Sequence, residues 1–358
     1  MNRRTFVSLT TASLTCSLAS SLVATAEPAA RSPLYGIAWT SIPIRISQAR
    51  QLDPSRRPPV PAAEFIELCH SYGAGVTQMG FDQLAGTAPE YLRGLRRMLD
   101  QRGMALELGV NARTLESEDS FAPVAAAARE LGVERLRIAC LGGRRYETFA
   151  EMKSWQEFAA HWKQVLRRSE PLLKKYRLRV GIENHKDWLA DELVEILKSV
   201  SSPHLGACID FGNNLSLLED SLEVVRKLAP YVVTTHLKDM ALRPIADGFE
   251  LSEVRLGEGI TPLAEIITIL RRVRRDVPIV LEMITRDPLN VPFRTDRYWA
   301  TYPARDASRI ERFERTVLAK ASTRPLPRVS DLAADQALAL ENDNLRRCSE
   351  YALTVLKV

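Results

Sequence analysis

Gly181-Ile182-Glu183-Asn184-His185 is an apolar strand that ends in a carboxylate, an amide and an imidazole. Three later stretches share its build. Cys208-Ile209-Asp210-Phe211-Gly212-Asn213, Thr235-His236-Leu237-Lys238-Asp239 and Val280-Leu281-Glu282-Met283 each close a β-rich apolar run on a group able to bind metal. One polar residue at a strand end has many uses. Metal-ligating groups at four such ends in succession predict a sheet whose chemistry is gathered at one edge.

Outward from these stretches, strand-like runs recur over 34–39, 75–81, 105–111 and 135–141, then 179–185, 205–210, 231–238 and 278–284. Most are near-continuous apolar segments, as parallel strands covered on both faces should be. Helical patterns fill the gaps. Segments opening at Pro61, Pro89 and Pro123 stop at Gly73, Gly103 and Gly132, and Ser154 with Glu157 suggests a capping box before 155–176, which Pro171 should kink or split. Segments 189–200, 221–228, 261–275 and 307–320 follow, the last expected to be the eighth barrel helix. A parallel crossover needs a helix and is almost always right-handed, so the alternation predicts an α/β fold: a single (β/α)8 TIM barrel over residues 31–320. A doubly wound sheet would want a glycine-rich phosphate turn after its first strand, and Gly36-Ile37-Ala38-Trp39 is no such turn. Residues 321–358 read as a C-terminal helical extension, packed outside the barrel or between the copies of a homo-oligomer.

Asn2-Arg3-Arg4-Thr5-Phe6-Val7 precedes a mildly apolar run that ends at Ala24-Thr25-Ala26, the pattern of a twin-arginine signal peptide over 1–26. The expected address is periplasmic or otherwise exported. Without that leader 332 of the 358 residues remain, and loss of Arg3 and Arg4 lowers the net charge from +5 to +3. The remaining charges are mixed along helices, so nothing calls for a nucleic acid, or for a membrane once the signal is cleaved. Cys69, Cys140, Cys208 and Cys348 show no paired spacing, and Cys140 and Cys208 sit in apolar strands as core residues.

In such barrels chemistry sits at the C-terminal strand ends, where Glu183, Asp210, His236 and Glu282 all fall. Side chains from strands about 4.8 Å apart converge on one volume, and three carboxylates there repel one another unless a cation neutralises them. Three oxygens and one imidazole favour Mn²⁺, with Mg²⁺, Co²⁺ and Zn²⁺ also admitted. Each residue taken singly has an ordinary structural use; the four together predict one divalent ion.

The four segments, with the Gly257-Glu258-Gly259 turn, resemble the xylose isomerase-like TIM barrel superfamily of sugar phosphate isomerases and epimerases over about residues 34–320. The resemblance implies that Glu183, Asp210, His236 and Glu282 are the metal ligands and that Glu183 and Glu282 flank the reacting carbon. The same superfamily holds apurinic endonucleases that use further histidines for a multi-zinc cluster. Here strands two and three end in Met79-Gly80 and Val110-Asn111, Asn213 stands where that branch has a histidine, and the chain has only five histidines. One metal is expected, and DNA repair is disfavoured.

Strand parity puts His185 one layer above Glu183 and Lys238 one layer above His236, with Arg286 beyond Glu282. His185 is therefore a candidate proton carrier, and Lys238, Asn213 and Arg286 are candidate substrate-binding residues. Arg294, Arg297, Tyr298, Trp299 and Tyr302 have the makeup of a carbohydrate lid, in which Trp299 is a further substrate-binding candidate. Phosphate recognition by the arginines and a subunit contact are the other uses of such a loop. The expected reaction is isomerisation or epimerisation of a small sugar or polyol, in which a glutamate takes the proton beside a carbonyl and an enediolate forms. A lyase or dehydratase acting on an oxidised (3-keto) sugar, glycoside or polyol uses the same first half-reaction. A non-catalytic sugar-binding barrel is the remaining class.

Overall fold

Leu205–Asp210 and Val232–Leu237 are buried along their whole length, so a sheet containing them must be covered on both faces. The chain achieves this by closing the sheet. A computed structural model describes residues 34–358; the leader expected over 1–26 lies outside the described residues. In chain order the strands are β1 (Tyr35–Ala38), β2 (Val76–Gly80), β3 (Ala105–Gly109), β4 (Arg135–Ile138), β5 (Arg179–Glu183), β6 (Leu205–Asp210), β7 (Val232–Leu237), β8 (Asp239–Ile245), β9 (Gly248–Val254), β10 (Ile279–Leu281) and β11 (Leu289–Val291). Eight of them form a closed barrel in the order β1-β10-β7-β6-β5-β4-β3-β2. The expected TIM barrel is the fold found.

Three features depart from the sequence reading. First, β8 and β9 form an antiparallel hairpin that β11 extends to a three-stranded sheet. This sheet has its own core, in which Phe249, Leu251, Phe293, Tyr298, Trp299 and Phe313 meet. The predicted aromatic lid is therefore absent as a lid: Tyr298, Trp299 and Tyr302 turn inward because the added sheet needs covering, and the Trp299 Nε1–H donates to the Phe293 carbonyl at 2.7 Å.

Second, Phe313 and Val317 of the segment expected as the eighth barrel helix belong to that second core. The tail supplies the barrel contact instead. Helix Ala334–Tyr351 brings Leu345 and Cys348 into the main core, Ser349 meets the Tyr35 hydroxyl at 2.8 Å, and Glu341 accepts the Ile44 and Arg45 amides at 2.7 and 3.0 Å. That carboxylate caps the exposed amides of helix Pro43–Leu52. Residues 321–358 thus pack on the outside of the strand barrel as expected, and there they take the place of a barrel helix. Third, Met152–Tyr176 is one helix with Pro171 inside it, starting two residues before the expected capping serine, Ser154.

Asp239 locks the loop beyond β7. It accepts the amides of Met240, Gly257, Gly259 and Thr261 at 2.9, 2.9, 2.9 and 3.0 Å, which explains the Gly257-Glu258-Gly259 turn. Gly257 has φ +86°, and a Cβ there would lie 2.5 Å from the Tyr351 ring, so turn and tail fit only with glycine.

Candidate metal centre

β5, β6, β7 and β10 are neighbours in the closed sheet, and Asp210 pairs with His236 in register. Their C-terminal ends bring ligand atoms of Glu183, Asp210, His236 and Glu282 within 4.8 Å of one another. His236 Nδ1 lies 3.3 Å from Glu183 Oε1, 3.8 Å from Asp210 Oδ2 and 3.4 Å from Glu282 Oε2. All four side chains are buried.

A relay on β2 and β3 fixes the imidazole. Gln78 Nε2 donates to Glu107 Oε2 at 3.1 Å, and Thr234 donates to the same oxygen at 2.6 Å. The Gln78 amide oxygen therefore faces His236 and accepts from its Nε2 at 2.8 Å. Nε2 must carry hydrogen, so a neutral His236 presents the lone pair of Nδ1 to the three carboxylates. Nδ1 and Asp210 Oδ2 are both buried without a hydrogen-bond partner. An imidazole lone pair aimed among three carboxylate oxygens is a donor set that fits one divalent cation. Cys208 also approaches Glu183 and His236, and burial pushes its thiol up to about 11.

Two buried cations stand against the carboxylates. Arg137 on β4 forms a close ion pair with Glu183 Oε2. Lys238 Nζ lies 2.6 Å from Glu282 Oε2 and 2.8 Å from Asp210 Oδ2, the latter without hydrogen-bond alignment. Lys238 points inward as its parity required. It is not one layer above the ligands, however, because its long arm folds down to the anions that attract it. Burial raises these carboxyl groups, but Arg137 and His236 pull Glu183 far below the usual range, and His236 with Lys238 does the same for Glu282. Asp210 stays raised: burial, with Glu282 and Glu183 nearby, outweighs Lys238. Burial disfavours a charged imidazole, yet the Glu282 and Glu183 carboxylates beside it raise His236 well above its usual value.

The remaining candidates take different places. Asn213 donates to Glu183 Oε1 at 3.0 Å and accepts from Lys186, which makes it an orienting residue for a ligand. Arg286 is engaged by both oxygens of Glu253. His185 donates from Nδ1 to the Leu141 carbonyl at 2.9 Å, leaving its lone pair on Nε2. Burial, first among its causes, pushes the imidazole down to about 4, with Glu183 opposing and Lys186 and Arg137 assisting.

The unfolded His185 titrates near 6.5, so the unfolded chain binds its proton first. The resulting stability is complete above about pH 6.5 and is lost as pH falls through about 4. His185→Gln is expected to flatten this part of the stability–pH curve by about 2 kcal/mol, allowing for partial solvent screening of the ring. Urea denaturation of parent and variant at neutral and acid pH measures it. Equal acid sensitivity of the two would remove His185 as the source.

Above the cluster lies a cavity of about 850 Å³ bordered by Gln78, Arg137, His236 and Glu282. Glu183 does not border it; its oxygens are taken by Arg137 and Asn213. Sequence reasoning missed Arg137, Glu107, Gln78 and Lys186. Arg137 and Glu107 each interrupt an apolar strand, in Leu136-Arg137-Ile138 and Leu106-Glu107-Leu108, and an inward charge in such a place demands a partner. Lys186 carries its signal only in the backbone, at φ 65°.

Fold and site together define an α/β barrel with a cluster of candidate metal ligands at the C-terminal strand ends. The chain belongs to the xylose isomerase-like TIM barrel family, whose profile matches residues 66–302. It is 27% identical over 227 residues to the 3-oxo-isoapionate decarboxylase of Pectobacterium atrosepticum, covering 63% of this chain and 78% of that one. A crystal structure of D-psicose 3-epimerase in the presence of D-fructose superposes with TM-score 0.53 at 14% identity, over 87% of this chain and 99% of that one. The IOLI protein with a bound zinc atom superposes with TM-score 0.52 at 13% identity, over 90% and 99%. At these identities the two structures share the fold.

Proposed function

We propose that this protein is a metal-dependent enzyme that forms an enediolate from a carbohydrate by taking a proton beside a carbonyl, acting as an isomerase or epimerase. The observation that carries this reading is the cluster of Glu183, Asp210, His236 and Glu282 around an imidazole lone pair under an open cavity. When bound, a divalent ion supplies Lewis-acid polarisation of the carbonyl and its neighbouring hydroxyl.

Glu282 is the glutamate that reaches substrate, because it borders the cavity whereas Glu183 is enclosed by Arg137 and Asn213. Thr40 donates to Glu282 Oε1 at 2.8 Å, and Lys238 holds Oε2 at 2.6 Å. These contacts hold Glu282 in position beneath the cavity as the base for the proton. Arg137, which also borders the cavity, offers guanidinium N–H groups to an oxygen that gains charge.

One observation favours a lyase as the second reading. Loss of carbon dioxide from a 3-oxo acid leaves an enolate, just as loss of a proton does, and the curated relative at 27% identity is a 3-oxo acid decarboxylase. A single glutamate facing the cavity suits reactions that need one base. Protein loaded separately with Mn²⁺, Mg²⁺, Co²⁺ or Zn²⁺ should be offered ketoses, aldoses and 3-keto-glycosides in deuterated water. Deuterium uptake beside the carbonyl is expected, and product mass separates isomerisation from elimination. No exchange and no product across all four metals would reject enediolate chemistry.

Arg3, Arg4 and the small residues Ala24-Thr25-Ala26 support export by the twin-arginine route, which would bring the enzyme to free or oxidised sugars. Replacing Arg3 and Arg4 together with Lys should strand the precursor in the cytoplasm. Normal processing of that variant would overturn this address.

A further inference from the structure

The cavity has two unlike halves. β7 and β10 bring His236 and Glu282 to it and the segment after β3 adds Asn111, Arg113 and Thr114, whereas the segments after β1, β2 and β4 contribute Trp39, Phe81, Phe149, Phe158 and Trp162. Phe149, Phe158 and Trp162 make a continuous wall, with ring centroids 5.2 Å apart for the first pair and 6.3 Å for the second. Trp155 and Trp188 back it, 5.5 and 6.0 Å from Phe158. Phe149 and Phe158 nevertheless remain only partly buried, so their rings are held rigidly while still offering surface to the cavity.

Size and chemistry point the same way. A cavity of about 850 Å³ lies near the top of the roughly 300–1,000 Å³ range that encloses drug-sized ligands, and a hexose of about a dozen non-hydrogen atoms leaves much of it unfilled. Of the residues from 148 to 162 that face it, Thr148 and His161 are polar, and His161 is directed to Glu116 at 3.4 Å. Against this wall a second sugar would find few hydrogen-bond partners, since the cavity's polar groups Asp82, Gln83, Asn111, Arg113 and Thr114 come from the segments after β2 and β3. A planar apolar ring needs only the aromatic faces.

We infer that this wall is a second subsite, which receives the apolar ring of an aryl glycoside while the sugar ring occupies the metal end. The inference rests on the proposed reading of the centre as a carbohydrate enzyme. The test is calorimetric binding of phenyl β-glucoside, methyl β-glucoside and cellobiose, all unoxidised, to metal-loaded full-length protein. Phenyl glucoside should bind about ten-fold more tightly than methyl glucoside. Phe149→Leu and Phe158→Leu keep side-chain bulk and should each reduce that preference while leaving methyl glucoside affinity unchanged. Equal affinity for the two glucosides in the parent protein would overturn the subsite, as would a preference undiminished in both variants. A gain for cellobiose as large as that for phenyl glucoside would overturn its apolar specificity. Deuterium exchange into a free ketose with no phenyl preference would sink the subsite and leave the enediolate chemistry standing; the opposite pair of results would do the reverse.

Discussion

Asp210→Ala is expected to yield a protein that retains no stoichiometric divalent metal after dialysis and turns over about 10³-fold more slowly than the parent. Two functions meet in this side chain. Oδ1 accepts the Gly212 and Asn213 amides at 2.8 and 2.7 Å and so shapes the turn after β6. Oδ2 faces His236 and Lys238 and has no hydrogen-bond partner. The alanine variant loses both, and removing one member of a buried ion pair costs about 3–5 kcal/mol in addition. Asp210→Asn separates them, because its amide oxygen can keep the turn bonds while the charge is gone. Elemental analysis should therefore find both variants metal-poor, with the asparagine form closer to the parent in thermal unfolding. Parental metal affinity in either variant would reject the proposed ligand set.

What the sequence revealed and what it hid follow from the range of the interactions. The eight barrel strands and the gathering of Glu183, Asp210, His236 and Glu282 at their ends were legible because each is a local event, an apolar run that ends in one polar group. The hairpin β8–β9 was not. β9 is buried along its whole length and shows no alternation, so its pairing with β8 and β11 is a tertiary property. The tail's helix was legible, but its contacts were not, for a related reason. Leu345 and Cys348 face the core and Glu341 caps helix Pro43–Leu52, contacts that span most of the chain and leave a loose apolar spacing. Trp299 misled because an aromatic side chain in a long loop suits a sugar face and a hidden second core equally well. Gln78 and Glu107 lie on strands remote from the motif segments, and only barrel closure brings them to His236 and Thr234.

Lys238→Met should have the other large effect, and its sign differs between metal-free and metal-loaded protein. The Lys238 ammonium is buried among Asp210, Glu282 and Glu253, at 2.8, 2.6 and 4.0 Å. Burial alone would lower its pKa, but Asp210 and Glu282 raise it, so the group stays charged. It partly neutralises carboxylates that the metal also needs. Metal-free Lys238→Met leaves those anions less compensated and should lose about 3–5 kcal/mol of stability. A divalent ion faces less competition in the variant, so metal affinity should rise about ten-fold, equivalent to about 1.4 kcal/mol. The thermal shift on adding metal should grow accordingly, since ligand that binds only the folded state stabilises it by mass action. Turnover should nevertheless fall about 10²-fold, because Glu282 loses the cation that positions it beneath the cavity. Metal titration, thermal unfolding and deuterium exchange on one preparation distinguish the alternatives. Metal affinity that falls in step with activity would make Lys238 a scaffold for the ligands, and unchanged turnover would reduce it to a counter-charge of the metal-free state.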